Sequence, residues 1–227
     1  NYLNKSNSKI GFCLSWHWLL DKKFLNLFKN GLFGWHGSMF RLPNGFGRSP
    51  MNWSIRLGAK QIIHTCFKYT SIADNGPIYI EKKFKIKKFD HIDNLLQTSV
   101  KLIINDIKYL IKTKNILNLP SKRIHIRNPL RFEKLDHKSG EIFLDGKELK
   151  EISNIIRSSS TPFPCAFIRT KHNKKIRIMR VIKKKTKGCL IIKKNKQKLY
   201  CLLKQKNKYI PKNFLDIKNG YKILLAK

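Results

Sequence analysis

The chain opens with two short apolar runs separated by an amphipathic segment. Residues 9–15 (KIGFCLS) and 31–35 (GLFGW) have the length and apolar content of buried strands, and apolar residues recur at helical spacing over residues 19–28. A strand, a helix and a strand within this length predict a βαβ unit with parallel strands. Ligands bind at the carboxyl ends of parallel strands, and the second run ends directly before His36.

The next part of the chain alternates irregular and regular segments. Residues 37–50 are rich in Gly, Ser, Pro and Asn, which predicts a loop, and a helix is expected to begin behind Pro50. Apolar runs at residues 62–69 and 78–84 predict two further strands. Apolar residues then fall three or four positions apart over residues 91–114, the pattern of one helix face, and we expect this helix to pack against the sheet.

The pattern changes again towards the end of the chain. A polar, turn-rich connector precedes a short helix over residues 147–157, which stops before Pro162 and Pro164. Beyond it, apolar and basic residues alternate with period two, the pattern of antiparallel strands, in residues 175–181, 188–193 and 198–203, and residues 221–226 predict a final strand. We therefore expect an α/β region over residues 1–118, a connector over 119–160 and a small, β-rich, barrel-like domain over 161–227.

Composition narrows the classes of protein that the chain can be. It has 227 residues, of which 41% are hydrophobic, which suffices for a folded core, and no apolar run approaches the roughly 20 residues that span a bilayer. The chain starts at Asn1 without an export signal, so we expect a fragment or processed chain located in the cytoplasm. The five cysteines have no ligand spacing among themselves or with histidines, so no metal site is predicted.

The charge balance leaves two interpretations open. Lys plus Arg number 49 against 13 Asp plus Glu, a net charge of +36, which is typical of proteins that bind phosphate-bearing partners. However, 39 of the basic residues are Lys and only 10 are Arg, beside heavy use of Ile and Asn, as drift towards A/T-rich codons would produce. Charge alone therefore does not decide whether there is an anionic partner.

Two residues stand out as candidates for chemistry. Asp74 is the only acidic residue between Asp21 and Glu81, and it lies in the turn before Asn75-Gly76. Asp74 either caps that turn or is a functional residue of an active site. His36 precedes a glycine-rich loop and is either a satisfied buried histidine or a functional one.

Several ordered segments together resemble one family. Residues 35–38 (WHGS), 42–43 (LP), 47–53 (GRSPMNW) and 73–78 (ADNGPI) are similar to the HGSLLP, RGRAPxNW and DxGxI motifs of 10-formyltetrahydrofolate-dependent formyltransferases. Residues 155–158 (IIRS) and 162–167 (PFPCAF) resemble the IRA…PxPGAF signature of that family, where its second domain begins. The motifs cover most of the chain in the family's order, which makes the resemblance more specific than any single motif.

The resemblance implies a fold and a reaction. It implies a Rossmann-like formyltransferase domain, incomplete at its N-terminus, followed by the barrel-like domain, with 10-formyltetrahydrofolate as formyl donor and no metal. His36 would donate to the developing oxyanion or move a proton. Asp74 would orient His36, raise its pKa and help to remove the amine proton. The residues implied to contact the folate are Gly37, Ser38, Leu42, Pro43, Gly47 and Arg48.

The sequence leaves two questions open: what one departure from the family's motif does to activity, and which amine accepts the formyl group. Family members usually have Asn two residues before the histidine, where its amide binds the formyl oxygen, and this chain has Gly34. The stretch from Pro50 to Trp53 is closer to enzymes that act on amino-sugar nucleotides, which favours such a substrate. The basic segment Lys183–Lys208 favours tRNA as the alternative partner, and a catalytically degenerate folate- or nucleic-acid-binding relative is the third hypothesis. The sequence leaves the oligomeric state open.

Overall fold

The computed structural model describes residues 9–16, 18–113, 116–144, 146–169, 173, 175–204, 217–218 and 221–225. The chain divides into two compact units. The first comprises residues 1–51, 60–85 and 96–134, and the second comprises residues 52–59, 86–95 and 135–227.

The first unit is built on a mixed sheet of four strands in the order β1-β2-β4-β5. These strands are β1 (Ile10–Cys13), β2 (Gly31–Ser38), β4 (Gln61–Lys68) and β5 (Ile78–Lys85). Strands β1 and β2 are parallel, which confirms the predicted βαβ pair, whereas β4 and β5 join the sheet antiparallel.

The connection between β1 and β2 contains less helix than predicted. Helix α1 (Lys22–Leu25) is a single turn, in which the Asp21 carboxylate accepts a hydrogen bond from the Phe24 N–H at 2.7 Å. The expectation of a helix over residues 19–28 is therefore wrong. After Leu25 the backbone bonds tighten to the i→i−3 pattern, and this tighter turn ends the α-helix before the predicted boundary.

Strand β2 is longer than its apolar pattern indicated. It continues through Ser38 because its backbone pairs with β4, with His36 opposite Thr65 and Ser38 opposite Ile63. His36 therefore lies inside the strand and not after its end, and the predicted loop begins later than Gly37. Within that loop, the short strand β3 (Phe46–Gly47) pairs in parallel with β6 (Arg131–Phe132), in a region that was predicted to be a connector.

The helices at the centre of the chain lie close to their predicted positions. Helix α2 is Pro50–Arg56, and helix α3 is Ile92–Lys112, followed by a 3₁₀ turn at Ile116–Asn118. Leu110 on α3 packs with Phe33 and Cys66 of the sheet, as the periodic apolar face predicted. None of the helices in the described ranges is long and apolar enough to cross a membrane.

The second unit contains helix α4 (Leu149–Ser159) and an open, antiparallel, six-stranded sheet. Glu148 and Glu151 form a capping box at the start of α4. Ile152 and Ile156 of the helix and Ile178 and Ile192 of the sheet belong to one buried apolar cluster. The strands are β7 (Ala166–Arg169), β8 (Lys175–Ile182), β9 (Leu190–Lys194), β10 (Gln197–Leu203), β11 (Ile217–Lys218) and β12 (Tyr221–Leu225), in the order β11-β12-β9-β10-β8-β7.

Candidate active site

The imidazole of His36 is buried, with 6% of its surface exposed, and both ring nitrogens face polar groups. Its Nε2 lies 3.0 Å from the carbonyl oxygen of Gly45, which only accepts hydrogen bonds, so Nε2 carries a proton. Its Nδ1 lies 3.7 Å from Oδ2 of Asp74. In the neutral ring, Nδ1 is therefore the unprotonated nitrogen, and it faces the carboxylate.

A tight turn brings Asp74 to this position. The residue has a positive φ of 50°, and the turn lies directly against the end of β4. A Cβ at Gly76 would lie 1.6 Å from the carbonyl oxygen of Lys68, so only glycine allows this approach, and the Lys68 N–H also donates to the Pro77 carbonyl. The Asp74 carboxylate accepts a hydrogen bond from the Gly47 N–H at 3.3 Å.

The loop that holds the Gly45 carbonyl is anchored to strand β6 and the residue before it. The Gly45 N–H donates to the Leu130 carbonyl, and the Arg48 N–H donates to the Phe132 carbonyl. A Cβ at Gly47, whose φ is +100°, would lie 2.5 Å from the Phe132 oxygen. The loop therefore depends on a segment that lies more than eighty residues further along the chain, and no sequence pattern pointed to that contact.

Burial controls the protonation of His36. Burial lowers the pKa of His36 below its ordinary value, and this effect outweighs the Asp74 charge and the Gly45 hydrogen bond, which both raise it. The Asp74 charge raises the His36 pKa, as predicted. The expectation that the His36 pKa lies above its ordinary value is nevertheless wrong, because burial lowers it by more. The ring is neutral near pH 7, and Nδ1 is a proton acceptor.

The residues implied to contact the folate differ in accessibility. The Ser38 hydroxyl is buried and accepts a hydrogen bond from the Phe40 N–H, and Gly37 lies near Met51. Gly47 contacts Asp74, as described above, and Arg48 is exposed.

Leu42 and Pro43 lie beneath the loop surface. Leu42 is 1% exposed and packs with Phe67 and Ile78, and Pro43 is also buried. Folate contact by any of the six residues stays a prediction.

Tyr69 was missed at the sequence level. A Cβ at Gly34 would lie 2.1 Å from Tyr69 Cε2 and 2.9 Å from the Tyr69 hydroxyl, so this ring fills the space of a side chain at position 34. Tyr69 follows β4, and its N–H donates to the Leu32 carbonyl at 2.7 Å. The alternation of residues 65, 67 and 69 could have indicated the shared face, but only with the pairing of β2 and β4 known.

Tyr69 also lines a cavity of about 340 Å³ in the first unit. Three lysines, Lys22, Lys29 and Lys68, line the same cavity, together with Thr70. These residues come from two segments of the chain, 22–32 and 68–71, so the cavity was not visible in the sequence. Its charge is complementary to an anionic ligand. Within the described ranges, no group of three or more His, Cys, Asp and Glu residues is arranged to hold a metal ion.

Sequence comparison relates the chain to formyltransferases, although no family model matches it. The bifunctional polymyxin resistance protein ArnA of Wigglesworthia glossinidia brevipalpis is 30% identical over 175 residues, which are 74% of this chain and 25% of the relative. A methionyl-tRNA formyltransferase of Pseudothermotoga lettingae is 33% identical over 86 residues, 38% of this chain and 28% of the relative. The chain thus spans about a quarter of the length of these relatives.

Solved structures share the fold. Methionyl-tRNA formyltransferase from Clostridium thermocellum matches with a TM-score of 0.65 at 20% identity, covering 85% of this chain and 77% of that chain. WlaRD, a sugar 3-N-formyltransferase solved in the presence of dTDP and 5-N-formyl-tetrahydrofolate, matches with a TM-score of 0.62 at 18% identity, covering 87% and 73%. The fold is that of the formyltransferases. The chain thus resembles this family in sequence as well as in fold, in agreement with its motifs.

Proposed function

We propose that this protein transfers a formyl group from 10-formyltetrahydrofolate to the amine of an amino-sugar nucleotide. The observation that carries the proposal is the pair of His36 and Asp74, in which an unprotonated ring nitrogen faces a carboxylate at 3.7 Å. An amine must lose a proton when it becomes an amide, so the reaction needs a base at this point. A buried, neutral imidazole supplies that base near pH 7.

The proton balance of the transfer assigns a role to each group. The donor supplies a formyl carbon, and the amine nitrogen forms a bond to that carbon while the bond between the carbon and the folate N10 breaks. His36 Nδ1 accepts the proton that the amine loses, and Asp74 stabilises the resulting imidazolium. The imidazolium then returns the proton to N10, so His36 ends the cycle neutral.

The loop and the basic cavity support binding of both substrates. We assign donor contact to Gly47 and the exposed Arg48, while the buried Gly37, Ser38, Leu42 and Pro43 support the loop that carries them. The cavity beside Tyr69 lies within the range of ligand sites, roughly 300–1,000 Å³. Its lysines complement a diphosphate, which favours a nucleotide-linked amino sugar as acceptor.

Methionyl-tRNA is the second candidate acceptor, and the basic C-terminal sheet favours it. The turn between β8 and β9 exposes four lysines, Lys183, Lys184, Lys185 and Lys187, which suit a phosphate backbone. Residues 205–208 of the basic segment Lys183–Lys208 lie outside the described residues. Binding to tRNA would weaken steeply with added salt, and salt-insensitive binding would count against this acceptor.

The test measures formyl transfer by the protein in solution. Purified protein is incubated with 10-formyltetrahydrofolate and either an amino-sugar nucleotide or methionyl-tRNA, and the formylated product is quantified by mass spectrometry. We expect His36→Ala to lower kcat by about 10²–10⁴-fold and Asp74→Asn to lower it substantially. The exposed His125 provides a control, because His125→Gln should leave the rate unchanged.

The outcomes separate the hypotheses. Wild-type rates in both His36→Ala and Asp74→Asn would remove the assignment of these residues. Ligand binding without transfer to any amine would identify a binding module and refute the proposed activity.

A further inference from the structure

The proposed reaction leaves one charge without an evident side-chain partner. When the amine adds to the formyl carbon, the formyl oxygen gains negative charge, and a hydrogen-bond donor at that oxygen accelerates such reactions. Gly34 has no side chain to supply it. The Nε2 proton of His36 is donated to the Gly45 carbonyl, and Nδ1 of the neutral ring has no proton. The donor must therefore come from another residue.

The position that a side chain at residue 34 would occupy is filled by Tyr69. The Tyr69 hydroxyl lies 2.9 Å from the Cβ position of Gly34. An asparagine amide nitrogen is two bonds from its Cβ, roughly 2.4 Å away. On this geometry, and resting on the proposed function, we propose that the Tyr69 hydroxyl is the side-chain donor to the formyl oxygen in this protein.

The sheet register directs Tyr69 to the reacting face. Gly34 pairs with Phe67, and His36 pairs with Thr65, so residues 65, 67 and 69 share the face that carries His36. The Tyr69 ring packs against Phe67 with the ring centroids 5.2 Å apart. Tyr69 also lines the 340 Å³ cavity and is only partly buried, so part of its side chain is accessible to a ligand.

A hydrogen bond with Cys13 leaves Tyr69 able to donate. The two side chains are hydrogen-bonded, and Cys13 lies opposite Gly34 in the parallel pair of β1 and β2. Burial raises the pKa of the Tyr69 phenol, and the nearby Asp74 charge raises it further, while burial raises the pKa of the Cys13 thiol. Both groups keep their protons at neutral pH. The bond between them raises the pKa of the phenol and lowers that of the thiol, so the Tyr69 hydroxyl donates to the Cys13 sulfur. Thiol sulfur is a weak acceptor, and the charged formyl oxygen would replace it as the acceptor of the phenol proton.

The first test removes only the hydroxyl. In Tyr69→Phe the ring and its packing against Phe67 remain, and we expect kcat to fall by about 10²–10³-fold with the KM of both substrates changed less than about 3-fold. Tyr79→Phe is the matched control, because the Tyr79 ring packs against Phe33 in the apolar cluster of the same sheet and lines no part of the cavity. This control should keep the wild-type kcat.

The second test moves the donor back to position 34. Gly34→Asn alone would force the Tyr69 ring to shift, because its Cβ would lie 2.1 Å from that ring. Combined with Tyr69→Ala, which removes that ring, Gly34→Asn should raise kcat at least 10-fold above that of Tyr69→Ala alone. A structural role for Tyr69 would not produce this rescue.

The results distinguish this inference from the proposed function. An active wild-type protein in which Tyr69→Phe keeps its kcat, or in which the double variant is no faster than Tyr69→Ala, overturns the role of Tyr69 only. A wild-type protein that formylates no amine overturns the proposed function and this inference with it. Loss of kcat in Tyr69→Phe with unchanged KM, together with the rescue, supports both.

Discussion

Protonation of His91 should weaken folding of the second unit at mildly acidic pH. The His91 ring is 1% exposed, and both its nitrogens make hydrogen bonds to the backbone. Nδ1 donates to the Phe89 carbonyl at 2.9 Å, and Nε2 accepts from the Val181 N–H at 2.9 Å. Only the neutral ring satisfies both bonds, because a protonated Nε2 would direct its hydrogen at another N–H.

The surroundings of His91 set the pH range of the effect. Burial lowers the pKa of His91 most, and the charges of Arg180 and Arg157 lower it as well, while the Phe89 carbonyl and Asp93 raise it. The net result is a pKa of about 4 in place of the ordinary 6.5. Because the folded-state pKa lies below the unfolded value, the unfolded chain binds more protons between the two values. The stability is therefore fully present above about pH 6.5 and is lost as the pH falls towards 4.

The magnitude follows from these two pKa values. Each pKa unit corresponds to about 1.36 kcal/mol, so complete protonation would remove about 3 kcal/mol. Lowering the pH from 7.5 to 5 accounts for about 2 kcal/mol of this sum. With an allowance for solvent screening and local relaxation, we expect about 1–2 kcal/mol over this range.

Urea unfolding at pH 7.5 and pH 5 measures this change. The free energy of unfolding is determined at both pH values for the wild type and for His91→Gln, whose side chain does not titrate. We expect the loss between the two pH values to be about 1–2 kcal/mol smaller in the variant. The exposed His137, also in the second unit, is the control, and His137→Gln should retain the wild-type loss. An equal loss in His91→Gln and the wild type would refute the reasoning.

Three further predictions concern the first unit. Asp106→Ala removes a buried carboxylate that accepts a hydrogen bond from the Trp35 indole N–H at 3.0 Å. The free energy of unfolding in urea should fall by about 2–4 kcal/mol, and an unchanged urea midpoint would contradict this. Gly76→Ala would place a Cβ 1.6 Å from the Lys68 oxygen and so displace the turn that carries Asp74. We expect the kcat of formyl transfer to fall at least about 10-fold. A wild-type rate would show that catalysis does not need this position of the turn. The fall of kcat/KM on the acid side of the pH profile should have its midpoint below pH 6.5, because burial lowers the His36 pKa and the unprotonated base is lost only at lower pH. A midpoint above pH 7 would disprove the assignment of His36 as the base.

The sequence predicted the features that depend on local pattern. Helix α3 and strands β8, β9 and β10 lie close to the segments indicated by their periodicity, because the spacing of apolar residues follows directly from the geometry of helices and strands. The ordered motifs likewise selected the His36 and Asp74 pair before any fold was known. These predictions needed no knowledge of which segments meet.

The tertiary structure decided what depends on contacts between distant segments. Pairing with β4 extends β2 through His36, and the same pairing places Tyr69 over Gly34. Burial by the assembled fold, and not the neighbouring carboxylate, determines the direction of the His36 pKa. Register and desolvation are properties of packed segments, and a one-dimensional pattern specifies neither until the chain has folded.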